Sequence, residues 1–187
     1  MTHPVTAFML QRNSTPNLSA PAPSGGVLDS IFQAALRAPD HGRLRPWRYL
    51  IIEGGSLHKL GDLFAESFKA NDSNLSPEKE NKFRKMPLRA PMVIVAVAKI
   101  QAHHKIPEIE QAVSLGAGVG YLLLALQAEG FGGMWRTGPL AYNKDVHKGL
   151  GLANEERIVG FLYAGTPTGK PKLIPQNDLS DFITHWV

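Results

Sequence analysis

Two stretches are apolar on consecutive residues rather than on alternate ones. "WRYLIIEG" (47–54) and "PMVIVAVAK" (91–99) read as strands covered on both faces, since a strand with one wet face alternates. Pro91 is tolerable only at the start of the second. "FGGMWRTG" (131–138) reads as a short strand or turn, and "ERIVGFLYAGTP" (156–167) as a fourth strand. Between them the apolar period lengthens to that of a helix. Leu28, Ile31, Phe32, Ala35 and Leu36 share one face of residues 27–38, which Pro39 ends. Leu57, Leu60, Phe64 and Phe68 form a stripe over 56–71, with Ser56 as the expected cap. Residues 107–129 form the longest predicted helix, 6–12 a short one, and 143–152 another, capped by Asn143.

The polar stretches fill the remaining space. Residues 13–26 carry the turn residues of a loop, and 71–90 are polar and expected to begin in a mobile loop. The tail from 168 is punctuated by prolines. Its end alternates Phe182, Thr184 and Trp186 against Ile183, His185 and Val187, which predicts an edge strand that adds to an existing sheet. Alternating helices and covered strands make the fold class α/β or α+β, in three layers and one domain over residues 1–187.

Composition narrows the function classes. Hydrophobic residues are 43% and charged ones 19%, as in a globular chain. There is no cysteine, which excludes disulfides and thiol nucleophiles and suits a reducing, cytoplasmic setting. No basic leader with a secretory core opens the sequence. The apolar run 112–128 is short of the ~20 residues of a bilayer span and is interrupted by glycines, Ser114 and Gln127. It reads as a buried helix, with no membrane role. The net charge of +4 favours anionic ligands.

Several kinds of chemistry find no support. There is no Gly-x-Ser-x-Gly elbow. His103 and His104 are adjacent and lack a carboxylate at ligand spacing, so no metal site is expected. "GAGVGY" follows helical residues and ends in Tyr121, which is not a dinucleotide fingerprint. Gly116 and Gly120 instead have the spacing for close helix approach, either at a subunit interface or in the core. Gly130, Gly132 and Gly133 suit either backbone approach to something flat, or a helix end and tight turn.

Positive charge marks candidate anion contacts. Arg37, Arg43, Arg45 and Arg48 crowd one loop around His41 and Trp47, and repel one another unless an anion is near or water screens them. In an extended segment Arg12 and Ser14 face the same side, so both can reach one phosphate. Lys170 and Lys172 follow the last strand at the same spacing.

Together "RNS" (12–14), "RAPDHGRLRPWRYLIIEG", "EGFGGMWRTGPL" and "LGLANEERIVGFLYAGTP" resemble, in order and spacing, the FMN-dependent nitroreductase family, in its compact YdjA-like branch. The resemblance runs from about Phe8 to the C-terminus. It implies an α+β fold: a mainly antiparallel central sheet flanked by helices, with the C-terminal strand exchanged in a homodimer that shares two flavin sites. Gly116 and Gly120 would then lie at the dimer core. Arg12, Asn13 and Ser14 would hold the flavin phosphate and ribityl, joined by Lys172 ahead of Lys170. Arg37 and His41 would reach the flavin from the other subunit, and Trp135, Arg136 and Thr137 would lie along its ring. Positive charge near that ring favours its reduction. The implied activity is transfer of hydride from NAD(P)H through FMN to a nitroaromatic, quinone or similar small acceptor, with no protein nucleophile or base. Two residues depart from the family pattern: Asn13, where a second arginine is common, and Arg45, where glutamine is usual. Beside a flavin-binding protein without turnover, two other readings stay open. One is a flavoprotein of this fold with a different redox role, such as dehydrogenation or flavin reduction. The other is a nucleic-acid-binding module using Arg43, Arg45, Arg48 and Trp47.

Overall fold

The computed structural model describes residues 2–72 and 74–187. Its sheet holds β1 (Leu18–Ser19), β2 (Trp47–Glu53), β3 (Met92–Lys99), β4 (Gly132–Arg136) and β5 (Glu156–Pro167), all antiparallel. The long β5 organises it. β3 runs along one edge, from Met92 opposite Ala164 to Lys99 opposite Glu156, and β2 pairs with the far side of β3. β4 and then β1 lie in line along the other edge, with Arg136 opposite Phe161 and Ser19 opposite Thr166.

Among the described residues, seven α-helices accompany the sheet: α1 (Pro4–Leu10), α2 (Gly25–Ala35), α3 (Ser56–Asn71), α4 (Pro77–Lys85), α5 (Glu108–Ala128), α6 (Pro139–Tyr142) and α7 (Lys144–Gly149). β3 shows why it is apolar throughout. Val93, Val95 and Val97 pack under α3, α6 and α7, with Leu60, Phe64, Leu140 and Val146. Met92, Ile94, Ala96 and Ala98 pack under α2 and α5, with Ile31, Leu115, Val119 and Leu122. Two helical layers thus enclose the sheet, as an α+β architecture of three layers requires.

The helices start where their caps allow. Asn143 Oδ1 accepts from the backbone N–H of Asp145 and Val146, capping α7 as expected. Ser56 is not a cap: Gly55 holds that position, and Ser56 is already helical. The polar stretch after α3 contains α4, with Ser76 accepting from Lys79 N–H, Pro77 in the first turn, Glu78 and Glu80 beside it, and Lys82, Arg84 and Lys85 at its end. α4 lies against α3 through Phe83, stacked on Phe68 at 3.8 Å between ring centroids.

The C-terminal segment departs from its predicted form. Only a 3-10 turn forms there, Leu179–Asp181, and residues 182–187 make no strand. An edge strand needs a neighbour with free backbone groups, and residues 181–187 pair with no strand of their own chain. All of 168–187 is exposed, and Trp186 is 100% accessible.

One long-range pair ties the sheet together. Arg48 on β2 donates through Nη1 to both carboxylate oxygens of the buried Glu156, at 2.9 and 2.7 Å, and Ala153 N–H donates to the same group at 3.0 Å. Burial pushes this carboxyl up, but the bonds from Arg48 and Ala153 and the charges of Arg48 and Lys99 outweigh it and hold Glu156 below its ordinary value of 4.5. A depressed carboxylate lends stability that is complete above that ordinary value and lost as pH falls through the lower folded one. Glu156→Gln should therefore cost about 1–3 kcal/mol at pH 7. Thermal unfolding of variant and wild type should converge in acid; a gap that persists unchanged there would contradict the assignment.

Candidate functional site

The segment after α1 is held on three sides. Gln127 Nε2 of α5 donates to Phe8 O at 3.3 Å, Arg12 N–H to Met9 O at 3.1 Å, and Thr15 N–H to Gly133 O of β4 at 3.0 Å. Arg12 and Ser14 line one groove together with Gly120, Leu123, Trp135 and Thr137. Ser14 also lines an adjoining hollow of about 320 Å³, whose other wall carries Lys170 and Lys172. No Asp or Glu lines either space. Asn13 Oδ1 accepts from Ser14 N–H at 2.9 Å, and its Nδ2 donates to Lys172 O at 3.0 Å. The departure from a second arginine thus has a use here, since Asn13 ties the lysine-bearing tail to the groove.

Trp135 lies flat along the sheet because of a glycine 25 positions away in sequence. Its Nε1–H donates to Val159 O at 3.3 Å, and a Cβ on Gly160 would run into its indole nitrogen. Gly160 sits where the β3–β5 register shifts. Gly160→Ala should displace the indole, change Trp fluorescence and cost about 1–3 kcal/mol in thermal unfolding. An unshifted emission spectrum with wild-type stability would refute this contact. Gly160 is a site residue that motif reading missed, and no local signal marks it.

Strand alternation splits the "WRT" triplet. Trp135 and Thr137 face the groove, whereas Arg136 turns to the other face, its guanidinium carbon 5.7 Å from the Tyr163 ring. Arg136 therefore does not share the groove with Arg12. Arg37 and His41 are also elsewhere within this chain. Arg37 lines a hollow with Val5, Met9, Tyr121 and Leu124, and His41 lines one with Ile109, Glu110, Val113 and Ala117. Both hollows border the outward side of α5, as Gly120 of the Arg12 groove does.

The arginine loop divides its cations. Arg48 is bound to Glu156, and Trp47 is half-buried against the core, so two of the four residues of the basic-aromatic reading are taken up by the fold, while Arg43 and Arg45 are exposed. Gly42, Arg43 and Arg45 have φ of 69°, 55° and 50°, a left-handed path that Asp40 Oδ2 pins by accepting from Arg45 N–H at 2.7 Å. This tight turn presents His41, whose Nδ1 is 2.7 Å from Glu110 Oε2 of α5.

The glycines sort by what surrounds them. Gly118 is the core glycine, since a Cβ there would meet Ala35 O at 3.1 Å. A Cβ on Gly120 would meet nothing within 4 Å. Ile109 and Val113 are exposed on the outward side of α5, while Leu115, Val119, Leu122 and Leu126 are fully buried on its inner side. Gly130, with φ 79°, ends α5, whereas Gly132 and Gly133 admit Thr15 and Leu123 of their own chain. Gly132 and Gly133 thus serve close packing and Gly130 a turn with open space above it, and all three line the hollow that carries Lys170 and Lys172.

Comparison with known proteins gives the family and the fold. The model of the nitroreductase family matches residues 9–166. The chain belongs to the nitroreductase family. It is 37% identical over 180 residues to YdjA of Escherichia coli K12, which carries the name of an NAD(P)H nitroreductase, covering 96% of this chain and 97% of that one. Among solved structures, a nitroreductase-like protein from Bacillus cereus superposes with a TM-score of 0.84 at 23% identity, over 100% of this chain and 97% of the other. A family protein from Desulfovibrio desulfuricans, solved in complex with FMN, superposes at 0.78 and 19% identity, over 100% and 98%. The nitroreductase fold therefore extends over the whole chain, and the Arg12 groove opens on the edge of its sheet where β4 ends.

Proposed function

We propose that the chain is an FMN-dependent oxidoreductase of the nitroreductase type, which takes hydride from NAD(P)H and delivers it to a nitroaromatic, quinone or similar small acceptor. One observation carries the reading: a groove free of carboxylates in which Arg12, Ser14, Trp135 and Thr137 converge, in a chain of this family. The donor set suits a phosphorylated flavin. Arg12 supplies a forked cation, Ser14 a hydroxyl and Lys172 a second cation beside them, and no carboxylate opposes an anion. Trp135 and Thr137 border the place for the ring, Trp135 with an apolar face and Thr137 with a hydroxyl. Bound FMN would supply the hydride chemistry, so the chain's own residues bind, orient and polarise.

The protein acts as a homodimer in this reading. The outward apolar stripe of α5 faces a second copy, bringing that copy's Arg37 and His41 to the groove. Residues 1–187 serve as one FMN-binding domain in the cytoplasm. Gly120→Leu should break both assembly and flavin content, because the open space above Gly120 is where the partner helix approaches. Light scattering that finds a dimeric, flavin-loaded variant would contradict the packing.

Purification tests the cofactor. The protein should emerge yellow with stoichiometric FMN, or take FMN up when it is supplied. A colourless protein that binds no FMN would end the proposal.

A further inference from the structure

Arg136 belongs to a second charged hollow on the other side of β4. Pro16, Asn17, Leu18, Arg89, Arg136 and Thr168 line it, around a space of about 570 Å³. Arg89 closes the 3-10 turn Pro87–Arg89, just before β3, and Pro87 and Ala90 on either side of Leu88 and Arg89 are buried. The turn's backbone is therefore fixed while the Arg89 side chain is exposed. Arg136 is half-buried, its guanidinium near the Tyr163 ring. Burial pushes the Tyr163 phenol up, and the charges of Arg136 and Arg89 pull it back, so both cations lie near that ring.

Elsewhere this chain pairs its structural arginines with acids. Arg48 has Glu156, Arg84 has Asp62 and Glu80, and Arg157 has Glu108. Among the described residues, neither the Arg89 nor the Arg136 guanidinium has an ion pair or hydrogen bond, and no carboxylate lines their hollow. Two unpaired guanidiniums on one hollow repel each other, and an anion placed between them removes that cost. Their forks fit an oxyanion with several acceptor oxygens, and a guanidinium stacked on an aromatic ring keeps its N–H edge free to donate.

We propose that Arg89 and Arg136 form a second anion site, for a phosphate group, on the other face of β4 from the Arg12 groove, bordering the lysine-bearing hollow at Pro16, Asn17 and Thr168. The site is open to solvent, so its ligand exchanges freely. The phosphate is either that of a free phosphorylated small molecule or that of the incoming dinucleotide.

The test is an NMR titration of FMN-saturated protein with inorganic phosphate, reading the arginine Nε–Hε signals against chloride at equal ionic strength. Two arginine signals should shift saturably with phosphate and not with chloride. Each should vanish in its own variant, Arg89→Gln or Arg136→Gln, and each variant should weaken phosphate binding at least fivefold while keeping its FMN. Arg89 is exposed on a turn, so Arg89→Gln remains informative even if Arg136→Gln disturbs the packing on Tyr163. Displacement of phosphate by NADH would identify the dinucleotide as the source, and phosphate retained under saturating NADH would identify a free phosphorylated ligand; either supports the site. The proposal is overturned if phosphate shifts nothing beyond chloride, if Arg89→Gln binds phosphate as wild type does, or if the shifts appear only in FMN-free protein. The last result would make the hollow a part of the flavin groove. The outcome does not depend on turnover, so a protein that binds FMN without using NADH still answers the question.

Discussion

Arg12→Ala should lose FMN affinity by more than a factor of ten, the largest effect expected of any single side chain in the groove. The side chain lies at the end of a segment held from α1, α5 and β4, so its backbone is fixed at the groove before any ligand arrives. A charge-assisted, bidentate contact to a phosphate is worth roughly 1.5–3 kcal/mol, which is one to two powers of ten in a binding constant. Ser14 alone cannot make this good, since a hydroxyl is a neutral donor. Nearby Lys172 supplies charge without the fork, so the loss should be partial. Equilibrium dialysis of the variant against FMN measures it, and wild-type occupancy at limiting FMN would exclude Arg12 as the phosphate anchor.

Removal of residues 178–187 should loosen the dimer and release FMN, although those residues make little of their own subunit. In the single chain Phe182 and Trp186 are exposed, the latter completely, and no core side chain covers them. Apolar side chains on an extended, proline-spaced tail mark a surface that another chain covers. The base of the tail is anchored near the groove, by Thr168 N–H to Asn17 O at 3.0 Å and by Asn13 to Lys172. A tail that leaves from the flavin groove and packs on a second subunit couples assembly to cofactor binding. The predicted strand for 181–187 then has the neighbour it needs, at an edge of the partner's sheet. Sedimentation and flavin absorbance of the truncated protein test this together. A truncated chain that remains dimeric, yellow and equally heat-stable would show that the tail is not exchanged.

The parts of the fold legible in the sequence were those where a long run has one environment. β3 is apolar at every position because both faces are covered, and α5 carries the buried stripe Leu115, Val119, Leu122 and Leu126 because that side packs on the sheet and α2. Helix α4 was harder to see because it is charged nearly all round and buries little beyond Phe83; its Ser76–Pro77–Glu78 start was the usable signal. β1 is two residues long and exists only because β5 passes beside it. In the site, i and i+2 spacing correctly put Arg12 and Ser14 on one groove. The same alternation, applied to residues 135–137, would have separated Arg136 from its neighbours, and the resemblance alone grouped the three. Arg48 read as part of an anion-holding cluster because its partner Glu156 lies 108 positions away, which no local pattern reveals.

The groove should hold a flavin that NAD(P)H reduces. The most direct measurement is the visible absorbance of the purified, FMN-saturated protein under anaerobic conditions as NADH or NADPH is added. The flavin band should bleach with one of the two nucleotides and return when a quinone or nitroaromatic acceptor is introduced. A bound flavin whose band neither nucleotide bleaches would contradict the account.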